Sequence, residues 1–508
     1  MTLVSVREEP DRGVPSPPTR FLLPLCVAVV LARASYVPRP LRNDEGGYLF
    51  LARHWHAGGE FLYGDYFVDR PPLLMLIFRA ASLTDWDQAI RVIAIPFVLV
   101  FVLAGGRVGT LLGGRTGGRC AAVVAAGVMC CPGLAADQAD GELFGATFVM
   151  ASVALALSAW RAETPARRLW LGAAAGALAA AAPLVKQNLL EGALFLAGLV
   201  VFAFLHERDT AARRAAAVAS AAVLGVLVTG GGLALWLVSA RVDPAVAWRE
   251  LVGFRGAALG TIWSSSPDAS IDRAALILAL GVLTGLVPVM VAWFLGARRG
   301  VPLAPAERRT ISLLFFFGIA AIAAGGSYWP PYLLQLAPAC VLAAGAVAPS
   351  AGRAGSWMTA AVRTVLTAAA VTTAAAVVVH AAVPWVWNSQ RIGEWLAASK
   401  ADGDTGLVVY GFPSVLESAD MASPYPYLWS VPMRTFDPRQ DRLRSTLAGP
   451  GAPAWIVEMN AVNSWGIDEE SRLRDLLHER YRVAAEICGY RVWLRQDAGR
   501  QLAAVPPC

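Results

Sequence analysis

The sequence predicts a polytopic α-helical membrane protein of about eleven transmembrane helices, carrying a small C-terminal extracytoplasmic α/β domain. Three observations predict it. Of 508 residues, 56% are hydrophobic and only 16% are charged, with a mean hydropathy of +0.52; soluble chains carry nearer a quarter charged residues. Apolar windows of about 20 residues recur, and in lipid only helices and closed barrels satisfy their own backbone polar groups. Between the windows, arginine-rich loops alternate with acidic or aromatic ones, which is how a chain is oriented in a bilayer. The net charge of +6 comes from those loop arginines and does not point to nucleic acid.

Residues 1–20 are polar and proline-rich, and read as a disordered cytoplasmic N-terminus. Apolar spans follow near 21–38, 89–112, 119–135, 143–160, 169–186, 188–205, 215–239, 274–296, 310–325, 331–349 and 358–384. The first imitates a cleavable signal, with Arg20 ahead of it and Ala32-Arg33-Ala34 behind. It reads instead as an uncleaved anchor, with Arg33 reaching back to the interface. Residues 39–88 form a long loop. The apolar run Pro72–Leu83 within it is too short to cross and suits a helix lying in the interface.

The basic loops at 113–119, 161–168, 206–214 and 297–309 belong inside by the positive-inside rule. The loops at 39–88, 136–142, 240–273 and 326–330 then lie outside, as does the tail from about 385. In that tail, Val408-Val409-Tyr410-Gly411, Ala454-Trp455-Ile456-Val457 and Tyr490-Arg491-Val492-Trp493-Leu494 have the pattern of short strands, and Glu469–Arg480 that of an amphipathic helix. The domains are therefore 1–20, a membrane domain 21–384 and an outer domain 385–508. Cys26, Cys120, Cys130, Cys131 and Cys340 fall in apolar spans as small hydrophobes, while Cys488 and Cys508 could pair in an oxidising compartment.

Four polar clusters fall on the outer side of this topology: Asn43-Asp44-Glu45; Asp137, Asp140 and Glu142; Lys186-Gln187-Asn188; and Ser327-Tyr328-Trp329-Pro330-Pro331-Tyr332. Ionisable groups at a membrane boundary are costly and mark function by default. Carboxylates can take a proton from a hydroxyl nucleophile or bind sugar hydroxyls. Cations can hold a phosphate where water is scarce, and Trp and Tyr stack on sugar rings or anchor at the headgroups. Lys186 is one of only two lysines, which favours phosphate binding over snorkelling. The acids at 137–142 suit a helix N-terminus equally well. His54 and His56 resemble a metal pair, but an i, i+2 spacing points them to different faces, so their role is structural.

Asp44-Glu45 after the first span, then Tyr48, Ala52, Tyr63 and Asp69-Arg70-Pro71-Pro72-Leu73, resembles the first extracytoplasmic loop of the GT-C superfamily. These are membrane glycosyltransferases that use polyprenyl-phosphate sugars, including the protein O-mannosyltransferases and the aminoarabinose transferase of lipid A. Arg91, Ala139-Asp140-Gly141-Glu142-Leu143-Phe144, Lys186-Gln187 and the run from Tyr332 to Pro338 extend the resemblance over roughly residues 20–350. It departs from the pattern at Pro331, where bacterial relatives often carry His, and at Arg70, where many carry Lys.

The resemblance implies inverting transfer of a sugar to a hydroxyl of a glycan, lipid or protein acceptor. Asp44 is the leading base, with Glu45 beside it. Arg70, Lys186 and Gln187 would bind the donor phosphate; Asp137, Asp140, Glu142, Tyr63, Tyr328, Trp329 and Tyr332 would bind acceptor or sugar. No metal-ligand set is identified, and a divalent ion (Mg or Mn) is left open. Membrane lipids are further partners, and the place is the plasma membrane with the site facing out. A flippase of a lipid-linked sugar is the alternative, but such proteins show internal repeats and charge near the bilayer midplane, and neither is seen here. A non-catalytic scaffold explains the tail and not the carboxylates.

Overall fold

The computed structural model describes residues 19–55, 62–206, 209–265, 267–297, 301, 303–383 and 386–508. Of the disordered N-terminus expected over 1–20, residues 1–18 lie outside the described residues, as does His56, and Thr19-Arg20 open the first helix instead.

Helix α1 (Thr19–Ala34) leads into the polar loop, which folds into two short helices, α2 (Asn43–Arg53) and α3 (Pro72–Ala81). Pro71-Pro72 opens α3, because a proline at the first helical position loses no intrahelical bond. The stretch α4 (Ala89–Met129) holds the second and third expected spans as two helices that fold back on each other at Gly113-Gly114, so that Gly109 lies against Gly117 and Gly105 against Ala125. Gly114 has φ +62°, which glycine adopts without penalty, so two residues turn the chain where a seven-residue loop was expected.

Helices α5 (Gly141–Trp160), α6 (Pro165–Ala181), α7 (Glu191–His206) and α8 (Asp209–Ser239) follow, packed α5 on α6 and α6 on α8. A short α9 (Pro244–Trp248), a π-helical turn and α10 (Phe254–Ser265) fill the loop expected outside. Then come α11 (Pro267–Leu283) and α12 (Leu286–Ala297), bent by 66° at Thr284-Gly285, α13 (Pro305–Ala324), a 3₁₀ turn Pro330–Leu336 running into α14 (Ala337–Val347), and α15 (Arg353–Ala382). Among the described residues five helices are long and apolar enough to cross a membrane, six with the bent pair. The helices α1, α6, α7 and α13, at 16 to 20 residues, occupy the other places where spans are expected.

The tail forms α16 (Asn388–Ser399), β1 (Gly406–Val408), α17 (Ser414–Ala419), α18 (Ser430–Phe436), α19 (Asp441–Ala448), β2 (Trp455–Glu458), α20 (Arg472–Arg480), β3 (Tyr481–Ile487) and β4 (Tyr490–Arg495). The sheet order is β1-β2-β4-β3, with β1 and β2 parallel and the other pairs antiparallel. One face packs Trp395, Val415 and Trp455; the other packs Leu407, Ile456 and Leu473.

The first strand ends three residues earlier than its sequence pattern suggests, because Tyr410, Gly411 and Phe412 all take positive φ and turn the chain. Strand β3 went unforeseen: a bulge between Val483 and Ala485 breaks its two-residue alternation. Cys488 and Cys508 are disulfide-bonded. Of the span cysteines, Cys130, Cys131 and Cys340 are buried, while Cys26 and Cys120 are only partly so.

Candidate active site

The site is built outward from the first turn of α2, where acids suit the positive end of a helix. Asp44 and Glu45 are neighbours in sequence, yet their side chains leave the helix in different directions. Glu45 is buried and both its oxygens are taken. Arg91 on α4 grips it in a two-pronged pair (Nε to Oε1 2.9 Å, Nη2 to Oε2 2.7 Å). The Arg42 and Ala139 amides each donate to it at 2.9 Å. Arg91 spends its remaining donors on the carbonyls of Tyr36, Arg39 and Pro40. This clamp fixes the loop, α2, α4 and the entry to α5 together. The sequence-based pairing of Glu45 with Asp44 in catalysis is therefore corrected: Glu45 has no lone pair turned toward a substrate, and its work is positional.

Asp44 has no arginine on its oxygens. Among the described residues, one hydrogen bond reaches its carboxylate, from the indole Nε1 of Trp429 at 3.0 Å. Burial pushes its pKa above the usual carboxylate value; the nearby Arg70 guanidinium and the indole bond offset that in part. Arg70 itself is bonded to Asp69 at 2.7 Å and lies 5.3 Å from the centre of the Tyr48 ring. Asp69 also takes Arg255 of α10 at 3.1 Å. Burial would raise its pKa, but Arg70, then Arg255, hold it below the ordinary value.

Lys186, in the turn between α6 and α7, is buried and ion-paired with Glu142 in the first turn of α5; its ammonium stands 4.8 Å from the centre of the Tyr332 ring. Asp140 caps α5 by accepting the Leu143 amide at 3.1 Å. Its pKa is well raised by burial and then by Glu142, against the opposing pull of Lys186. Gln187 spans the loop and the 240–273 segment, donating to the Asp69 carbonyl at 2.8 Å and accepting from Arg255 at 3.2 Å.

Asp44, Arg70, Lys186, Gln187, Asp140, Glu142 and Tyr332 are thus brought into one cluster through these contacts. Four candidates are not. Asp137 turns to Arg39 and Arg42 (3.8 and 3.5 Å). Trp329 lies against Arg273 at 4.7 Å, and the Tyr328 hydroxyl bonds the Ala323 carbonyl. Tyr63 is buried, and its hydroxyl bonds the Arg70 carbonyl at 2.7 Å, so it shapes the loop that presents Arg70. His54 caps the C-terminus of α2 with its ring against Phe50.

Sequence reasoning missed three participants. Arg255 stands in a segment assigned outside, where arginine runs against the orientation pattern; that anomaly was the available signal. Glu250 accepts the Val68 amide at 3.0 Å, and burial lifts its pKa to about 7. Trp429 comes from the tail, at the end of the aromatic run Tyr425-Pro426-Tyr427-Leu428-Trp429, which nothing in the sequence ties to residue 44. As for a metal, no group of three or more His, Cys, Asp or Glu side chains gathers among the described residues, and Asp69 is already neutralised by two guanidiniums.

No family model and no curated protein sequence matches the chain. Solved structures do. ArnT of Cupriavidus metallidurans bound to undecaprenyl phosphate superposes with a TM-score of 0.64 at 15% identity, over 97% of this chain and 100% of that one. The oligosaccharyltransferase AglB of Archaeoglobus fulgidus, in complex with an inhibitory peptide and a dolichol-phosphate, superposes with a TM-score of 0.53 at 11% identity, over 94% of this chain and 74% of that one. The fold of this chain is the one shared by the ArnT and AglB structures. Within that fold the ArnT structure matches it end to end, whereas AglB extends beyond it.

Proposed function

We propose that this protein is an inverting glycosyltransferase that moves a sugar from a polyprenyl-phosphate donor to a hydroxyl acceptor on the outer face of the plasma membrane. The observation that carries the reading is one half-buried carboxylate, Asp44, without an ion-pair partner among the described residues, near the Arg70 guanidinium and the Glu142 that holds Lys186. Asp44 takes the acceptor hydroxyl proton as the acceptor oxygen attacks the anomeric carbon. The bond from that carbon to the lipid phosphate oxygen breaks on the opposite face, and the phosphate leaves with the bonding pair. Arg70 and Lys186 balance the charge that grows there, which fixed cations do well in a water-poor site.

Glu142 holds Lys186 in place, and Asp140 and Tyr332 flank the sugar. Residues 385–508 form an outer domain over this site, and about eleven spans carry it. The lipids held in the ArnT and AglB structures, undecaprenyl phosphate and dolichol-phosphate, support a lipid-phosphate leaving group.

The test uses the full chain in proteoliposomes with radiolabelled undecaprenyl-phosphate mannose, glucose, galactose or arabinose and an envelope extract as acceptor. Wild type releases undecaprenyl phosphate and forms a new glycoside, and Asp44→Asn does neither while remaining folded. Movement of lipid across the bilayer with no glycoside formed assigns the chain to flipping instead.

A further inference from the structure

The tail and the loop meet over α2 with unusual closeness. A Cβ on Gly47 would stand 2.5 Å from Pro413 Cγ and 2.6 Å from Trp429 Cζ2, and one on Gly46 would stand 2.9 Å from Ser414 Cβ. The Gly-Gly pair that follows Asp44-Glu45 is therefore what lets the tail approach. Around it, Ser414 bonds Asn43, Glu417 pairs with Arg53, and Tyr66 both donates to and accepts from the Ser423 backbone. Phe67 packs with Phe254 and Phe436, joining the loop, α10 and α18. At the centre of this contact Trp429 is half-buried, its ring 5.4 Å from that of Tyr48 and its N–H on Asp44. Tyr48 in turn carries Arg70.

We infer that Trp429 is a positioning residue for the Asp44 carboxylate, so that the C-terminal unit completes the active site rather than merely decorating it. The inference rests on Asp44 being the base. An Asp side chain in the first turn of a helix has several rotamers, and the other donors near this one are spoken for. Arg70 is bonded to Asp69 and Lys186 to Glu142. The indole anchors Oδ1 and leaves Oδ2 turned to the acceptor. It also stops the carboxylate from swinging onto Arg70, where an ion pair would neutralise both the base and the phosphate ligand. The titratable and charged groups that face Asp44 are Arg70, Asp69, Glu142 and the Tyr48 phenol, so removing one neutral donor leaves the net charge of the pocket unchanged. A hydrogen bond to a charged acceptor is worth enough to alter a rate by about 10–100-fold.

The experiment replaces Trp429 by Phe and, separately, by 3-benzothienylalanine, which keeps the bicyclic shape against Gly47 and Tyr48 and lacks the N–H. Release of undecaprenyl phosphate by the full chain is followed against pH and donor concentration, with whichever labelled donor the wild type consumes. Both variants are expected to melt near wild type and to keep the donor KM within about two-fold, while kcat falls about 10–100-fold. The acid limb of the kcat profile should move to higher pH, because losing a bond to the ionised form raises a carboxylate pKa.

A benzothienylalanine variant with wild-type kcat and an unmoved acid limb overturns the inference, as does a loss confined to KM. A wild-type chain that consumes no donor removes the reading of Asp44 itself. These failures are distinguishable, since only the last silences the unmodified protein.

Discussion

Two carboxylates one residue apart, Asp44 and Glu45, live in opposite electrostatic worlds. Glu45 is surrounded by four donated hydrogen bonds, two of them from a guanidinium, and is held below the ordinary carboxylate value even though burial alone would raise it. Asp44, only half-buried, has one neutral donor among the described residues and a raised pKa. A buried charge that is fully paired holds a structure together, and one left short of partners is available for chemistry. The pair shows how a single helical turn can divide those tasks. One acid pins the loop to the membrane helices; its neighbour is thereby presented at a defined point.

Breaking each member should separate the two roles. Asp44→Asn keeps shape and removes the proposed base. Transfer should fall by about 10³-fold, in line with the usual contribution of general base catalysis, with melting unchanged. Glu45→Ala strands Arg91 in an apolar setting and should cost about 3–5 kcal/mol of stability, as other buried pairs do when one partner goes. Unfolding of purified protein in nanodiscs, run beside the transfer assay, gives both numbers. If Glu45→Ala is stable and merely slow, the division of labour is wrong.

The cations test the other half. Lys186→Met removes a phosphate ligand and leaves Glu142 unpaired, so kcat/KM should fall by about 10²-fold, as for loss of one transition-state contact. Arg70→Lys retains charge but loses the planar fork that also engages Asp69, and about a ten-fold loss is expected. Initial rates over a donor series discriminate them: an Arg70→Lys variant slower than Lys186→Met would shift the phosphate toward Arg70.

Much of this arrangement was legible in the residues, and the reason is physical. Membrane helices announce themselves by apolar length, and polar groups at their ends are too costly to be accidental. Asp44, Arg70, Lys186 and Glu142 could be picked out because nothing apolar explains them. Glu45 misled for the same reason: a carboxylate looks alike in sequence whether or not an arginine 46 residues away occupies it. Asp137, Tyr328 and Trp329 failed through direction, since a loop assignment places a residue on a membrane side without aiming its side chain. Trp429 was out of reach because its contact with Asp44 spans 385 residues and depends on two glycines whose missing side chains are the signal. Gly47→Ala probes that contact: the new methyl must push Pro413 and Trp429 aside. We expect a loss of about ten-fold in kcat, on the scale of one charged hydrogen bond, with faster proteolysis between residues 383 and 414.

A third carboxylate sharpens the comparison further, at the smallest cost to the protein. Asp404 accepts an indole bond too, from Trp455 Nε1 at 2.8 Å, but it also takes the Arg500 guanidinium (Nε at 2.8 Å) and the Ala401 amide at 3.0 Å. Burial would raise its pKa; Arg500 and the two further donors overcome that and bring it down to about 2. Asp44, with an indole on its oxygens and Arg70 only nearby, stays raised by desolvation, whereas the less desolvated Asp404, with an arginine directly on it, is depressed. The sign of the linkage follows. An acid with a folded pKa below its unfolded value of about 3.9 adds stability that is present above that value and is lost as pH falls through the folded one. The bond from Arg500 to Asp404 should therefore hold the disulfide-tied tail at pH 5 and release it between about pH 4 and 2. Pepsin, which cuts in that range, should attack residues 496–508 increasingly over the window in wild type. In Asp404→Asn the same cuts should appear with little dependence on pH, and a wild-type tail equally resistant at pH 2 and pH 5 would show that Arg500 is not what secures it.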